Sequence, residues 1–178
     1  FSMSRLTIHT GTLHSAALEI VLAPLCIALT FSAPGFLTAE NLLNVLRNVS
    51  MQGLIALGMT MVIIAGEIDL SVGSMVAFGG CLTAFLTGWL SGNDVALPSA
   101  IALSIVAALA GGFLIGCFTG LMRTRYSVPS FITTLALMTG LSGAAELITN
   151  GFPLTPFPEW YNVFGGGYVM GIPVPALV

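Results

Sequence analysis

Gly66-Glu67-Ile68-Asp69-Leu70-Ser71-Val72-Gly73 interrupts an apolar run from Met51 to Trp89 that is otherwise long enough to cross a bilayer more than once. Inside the interruption, Glu67 and Asp69 stand two residues apart between apolar segments. An ionised carboxylate at a membrane-helix centre costs roughly 2.5 to 3.5 kcal/mol on insertion scales, so the pair requires a physical reason. How the chain is threaded on either side follows from this break.

The surrounding composition is that of a membrane chain. Over 178 residues the hydrophobic share is 56% and the charged share 6%, where soluble domains carry about 25% charged residues; the mean hydropathy is +1.02. Four arginines and no lysine face seven acids, for a net charge of −3. Such a chain has no basic patch for phosphates, which excludes nucleic acid as a partner. Cys26, Cys81 and Cys117 are odd in number and lie far apart inside apolar runs, a pattern of small buried hydrophobes and not of disulfides or a metal site. His9 and His14 lack a partner at ligand spacing, so no metal and no cofactor is expected.

Working back from the break, Met51–Ala65 is too short to span alone and reaches the ~20 residues required only when joined to a helix beginning near Thr38. Thr38 is a suitable cap for that helix, after the breaker Ala33-Pro34-Gly35. Along it Asn41, Asn44, Asn48 and Gln52 recur at spacings of three and four, which stacks their amides on one face. Ile55 and Met59 continue that face as apolar groups. A stripe wet at one end and apolar towards the middle suits a solute path closed by a hydrophobic constriction; an interfacial helix whose amides touch headgroups is the other reading.

On the far side of the break an apolar helix resumes at Met75–Leu90, with Asp69, Ser71 or Ser74 available to cap it. Glu67 is harder to explain, because a carboxylate at the negative end of the preceding helix needs water, protonation or a partner. Ser99–Met122 forms the next helix and carries Ala108, Gly112, Gly116 and Gly120 at strict spacings of four, the device by which membrane helices pack closely. Gly80, Ala84 and Gly88 repeat it on the helix before.

Arg123-Thr124-Arg125-Tyr126 holds half the arginines, and the positive-inside rule puts it in the cytoplasm. Counting back through spans at 99–122, 75–90, 42–65 and 16–31 gives a cytoplasmic N-terminus with a polar tail at 1–15. Residues 16–31 after Arg5 also have the outline of a signal peptide, but no A-x-A-like cleavage site follows, which favours a retained span. Pro129–Thr149 is the fifth crossing, Asn150–Gly171 an external loop rich in Gly, Pro and aromatics, and Ile172–Val178 the start of a sixth span. The expected fold is an all-α integral membrane helix bundle, a single domain over 1–178 with about five complete spans and one discontinuity at 66–73.

Asn41-Leu-Leu-Asn-Val-Leu, Gly58-Met-Thr-Met-Val-Ile, Ile68-Asp-Leu-Ser-Val-Gly-Ser, Val128-Pro-Ser-Phe-Ile-Thr-Thr-Leu and Thr149-Asn-Gly-Phe-Pro-Leu together resemble the permease subunits of bacterial ABC importers for ribose, xylose and related sugars. The resemblance covers roughly residues 36–155. It implies an inner-membrane subunit that pairs with a second permease chain, cytoplasmic ATPase subunits and a periplasmic solute-binding protein. Permeases of that family are about twice this long, so the chain corresponds to an N-terminal half. Glu67 departs from the family pattern, which leaves its role and the substrate unassigned.

The absence of a GxxxxGK[ST] loop means that ATP is used by another subunit, and no nucleophile–base constellation marks an enzyme. Under the transport reading Asn44, Asn48, Gln52, Ile55 and Met59 border the path, while Glu67, Asp69 and Ser71 form a joint. Acids at a discontinuous helix also suit an ion- or proton-coupled carrier, the alternative reading.

Overall fold

The computed structural model describes residues 17–177, so the tail at 1–15 lies outside the described residues. Six helices follow in order: α1 (Ala17–Ser32), α2 (Ala39–Ile64), α3 (Val72–Gly92), α4 (Leu97–Tyr126), α5 (Ser130–Thr149) and the short α6 (Glu159–Gly166). An antiparallel pair, β1 (Tyr168–Val169) with β2 (Ile172–Pro173), and a 3-10 turn at Val174–Ala176 complete the described chain. Helices α2 to α5 are each long and apolar enough to cross a membrane. α1 has 16 residues, fewer than the ~20 that a lone span needs. This is a multi-pass, all-α membrane fold.

Helix boundaries follow local chemistry. Thr38 Oγ1 accepts the Asn41 N–H at 3.3 Å, the cap expected for α2, and the Asn41 side chain braces the preceding turn by donating to the Phe36 carbonyl at 2.7 Å. α2 ends in a Schellman motif: the Glu67 N–H donates to the Val62 carbonyl and the Gly66 N–H to that of Ile63, with Gly66 at φ +74°. Only a residue tolerant of the left-handed region closes that turn without strain, which accounts for glycine here. Pro98 opens α4 at a position where its missing N–H is not needed.

The chain divides into two compact units, one ending at Asn48 and the other beginning at Val49, a division that falls within α2. In the first, α1 carries Pro24 within it, and the Thr30 and Ser32 hydroxyls fold back onto carbonyls four residues earlier. In the second, α3, α4 and α5 pack on one another. Most of their buried residues are small or hydroxylated: Ser74, Thr83, Ala84 and Thr87 of α3, Ala100 and Ser104 of α4, Ser130, Thr133, Thr134 and Ala145 of α5; Ile101 of α4 and Leu141 of α5 are the large apolar exceptions. Most large apolar side chains point outward, as in a bundle whose surroundings are lipid and whose cohesion comes chiefly from close approach and hydroxyl bonding.

The expected sixth span is corrected. Residues 172–176 form a strand and a 3-10 turn, because Gly171 at φ +83° turns the chain into a hairpin and Pro173 disfavours the helical region for Ile172 before it. The stretch expected to be loop between 150 and 171 also contains α6.

Among the described residues, no heavy atom beyond Gly66 and its chain neighbours lies within 4 Å of a Cβ built there, so substitution tests backbone conformation with no new side-chain clash. Gly66→Ala is expected to cost about 1–2 kcal/mol, the penalty of a left-handed L-residue, and Gly66→Asn appreciably less. Thermal melts of the detergent-solubilised protein check both.

Candidate functional site

The break between α2 and α3 lies against the first turns of α5. Ile68 donates its backbone N–H to Ser130 Oγ at 3.2 Å, and Leu70 donates its own to Thr134 Oγ1 at 3.1 Å. A segment that has left its helix has lost its intrahelical partners, and apolar surroundings offer no replacement. Ser130 and Thr134 supply one. Four residues apart, they share a face of α5 and are separated by about 6 Å of helix rise. Alternate residues of an extended segment are spaced about 6.6 Å apart, so the two ladders match. Both hydroxyl side chains are buried.

Asp69 serves the turn itself. Its Oδ1 accepts the Ser71 N–H at 2.7 Å and the Ser71 hydroxyl at 2.6 Å. The expectation that Asp69, Ser71 or Ser74 caps α3 is therefore corrected: Ser71 makes no side-chain cap because its hydroxyl is held by Asp69, and the Ser74 hydroxyl turns back to the Ser71 carbonyl at 2.8 Å. An Asx-type turn closes the joint in place of a helix cap.

Glu67 lies between α2 and α3, outside both spanning helices, and finds the partner that its position demands: Arg123 Nε, from the last turn of α4, donates to Glu67 Oε1. A hydrogen bond from the Ser130 hydroxyl and the neighbouring guanidinium hold the Glu67 carboxyl below the usual carboxylate range. Ser130 thus serves backbone and carboxylate together. The joint, the arginine turn and the start of α5 occupy one end of the bundle.

Around this cluster lies a groove of about 550 Å³. Glu67, Asp69 and Arg123 line it together with Thr119, Ser130 and Thr134, and Val62 and Met75 add apolar surface. Gly116 and Gly120 line this groove, whereas Ala108 and Gly112 line a second, of about 600 Å³, between α3 and α4. Among the described residues a Cβ built on Gly112, Gly116 or Gly120 meets nothing within 4 Å beyond its own helix backbone, so there the glycines of the stripe front grooves and seat no neighbouring backbone. The buried residues of α3 and α4 lie elsewhere on these helices, at Ser74, Thr83, Ala84, Thr87, Ala100, Ile101 and Ser104.

The residues expected to border a path lie on α2 and take no part in the hydrogen bonds of the joint. On α2 Asn44 and Met59 are half-buried and Asn48, Gln52 and Ile55 exposed. At about 100° per residue, Gln52, Ile55, Met59 and Val62 share one face, so that face reaches the groove at Val62. Arg123, Ser130 and Thr134 were not singled out from sequence as parts of the joint. The available signal was the pair of hydroxyls at i, i+4 opening an apolar helix after Pro129. Among the described residues no group of His, Cys, Asp and Glu could hold a metal ion.

Residues 41–166 match the family described as branched-chain amino acid transport system / permease component. The chain is 40% identical to the ribose import permease protein of Haemophilus influenzae over 80% of its own length and 43% of that protein. It is 42% identical to the Bacillus subtilis ribose import permease protein over 86% and 46%, and 39% identical to the xylose transport system permease protein of Escherichia coli over 75% and 32%. The chain thus spans less than half the length of these relatives. No solved structure matches it.

Thr134→Val keeps the shape and removes the hydroxyl, leaving the Leu70 N–H without its partner. It is expected to cost about 1–3 kcal/mol, with Thr134→Ser recovering most of it. Melting temperatures of the two variants in one detergent check this.

Proposed function

The chain belongs to the branched-chain amino acid transport system / permease component family, and from that premise we propose that it forms part of the translocation pathway of an ATP-binding-cassette importer for a sugar such as ribose or xylose. The family description is broad, and the similarity to ribose and xylose permeases narrows the solute class. The observation that carries the reading is the meeting of two stretches on which the resemblance rests: Ile68-Asp-Leu-Ser is hydrogen-bonded to Ser130 and Thr134 of Val128-Pro-Ser-Phe-Ile-Thr-Thr.

In this reading Asn44, Asn48 and Gln52 border the aqueous part of the route, and Ile55 and Met59 form its apolar constriction. The continuity of α2 from Ala39 to Ile64 favours this over a separate interfacial helix. Glu67, Asp69 and Ser71 form the joint that carries motion between α2 and α3. Both acids are engaged by Arg123 and Ser71, which favours a structural role over ion coupling. The stripe Ala108, Gly112, Gly116 and Gly120 is the proposed seat for a neighbouring helix of the complete permease. Arg123 and Arg125 mark the cytoplasmic end, the N-terminus is cytoplasmic, and the membrane is the bacterial inner membrane. The working partners are a second permease chain, cytoplasmic ATPase subunits and a periplasmic solute-binding protein; the permease itself is not an enzyme.

Full-length permease reconstituted with its ATPase is expected to hydrolyse ATP several-fold faster when sugar-loaded binding protein is added. Asn48→Cys, in a background without Cys26, Cys81 and Cys117, is expected to react with water-soluble thiol reagents. No stimulation by any candidate sugar contradicts the importer; an unreactive Cys at 48 contradicts the path.

A further inference from the structure

At the end of the bundle opposite Arg123, the chain after α5 turns back along α3. Pro153, Leu154 and Pro156 line a groove with Phe85, Gly88 and Trp89 of α3, and a Cβ on Gly88 lies 4.0 Å from that of Pro156. Farther on, Phe157 and Tyr161 line the α3–α4 groove together with Thr83 and Ile105. Thr83 precedes Gly92, the end of α3, by nine residues, or about 13 Å of helix. The segment therefore descends beside α3 instead of crossing the outside of the bundle.

Irregular backbone at membrane depth is tolerated where its polar groups are few or covered. Pro153, Pro156 and Pro158 remove three of the six N–H donors from residues 153–158, and protein covers one side of them. α6 then presents two unlike faces. Tyr161 stacks on Phe157 with ring centroids 4.6 Å apart and closes the groove. Trp160, Val163 and Phe164, at i, i+3 and i+4, face outward and are 51%, 48% and 62% exposed. From Asn150 to Leu177 the sole charged residue is Glu159, in the first turn of α6 where the helix dipole favours an acid. Trp89, 58% exposed in the last turn of α3, and Trp160 are the chain's two tryptophans, and both lie at this end. Tryptophan concentrates at the boundary between headgroups and acyl chains.

We infer that residues 153–166 form a re-entrant segment seated in the bilayer margin, with Trp160, Val163 and Phe164 against the upper acyl chains and Tyr161 turned into the protein. Its partner is lipid, and it holds this end of the bundle at a set depth.

The test uses full-length permease in phosphatidylcholine vesicles, with Trp160 as the only tryptophan and Trp89 and any other replaced by Phe. Trp160 emission is expected to be blue-shifted, to lose most of its intensity to lipid brominated in the upper acyl chain, and to respond weakly to aqueous acrylamide. Strong acrylamide quenching without bromolipid quenching overturns the inference in favour of water. Resistance to both overturns it in favour of cover by a second copy or another protein.

Discussion

Two side-chain hydroxyls on one helix replace the backbone hydrogen bonds that the chain gives up where α2 stops, and the arrangement of the bundle depends on that substitution. An N–H without a partner in apolar surroundings costs several kcal/mol. The break at 66–71 can be seated inside the bundle only where another element presents acceptors in register. Ser130 and Thr134 do so one helical turn apart, and they fix α5 against the start of α3 as they do it. Glu67, next to Ile68 in the same segment, pairs with Arg123 of α4. One joint thereby ties together the ends of four helices.

A joint of this kind differs from a hydrophobic contact in how it yields. Packing of small side chains along α3, α4 and α5 is diffuse, and its loss at one position is absorbed by neighbours. The hydroxyl bonds are few and directional, so a displacement of α5 exposes particular N–H groups and a particular carboxylate together. For the transport reading, a movement at the end of α4 or α5 therefore reaches α2, whose face carries Gln52, Ile55, Met59 and Val62 towards the groove.

Much of the architecture was legible in the sequence. Hydropathy and breakers locate the helices, Thr38 the start of α2, and the break at Gly66 its end, because each is a local property of a few residues. The partners of the break were not legible in the same way. Glu67 and Arg123 are 56 residues apart, and Ile68 and Ser130 are 62 apart; periodicity says which residues share a face but not which faces meet. The same limit applies to the Ala108–Gly120 stripe: its spacing permits close approach without requiring it, and here it fronts two grooves. Residues 172–178 misled for a different reason, since apolar composition outweighed the hairpin turn at Gly171 and the extended backbone that Pro173 favours for Ile172.

Hydrogen exchange at individual amides, read in lipid on the complete permease, tests the joint most directly. The Ile68 and Leu70 amides are predicted to exchange slowly, at rates comparable to those inside α3. Exchange of both at the rate of an open loop would contradict the claim that Ser130 and Thr134 hold the broken segment.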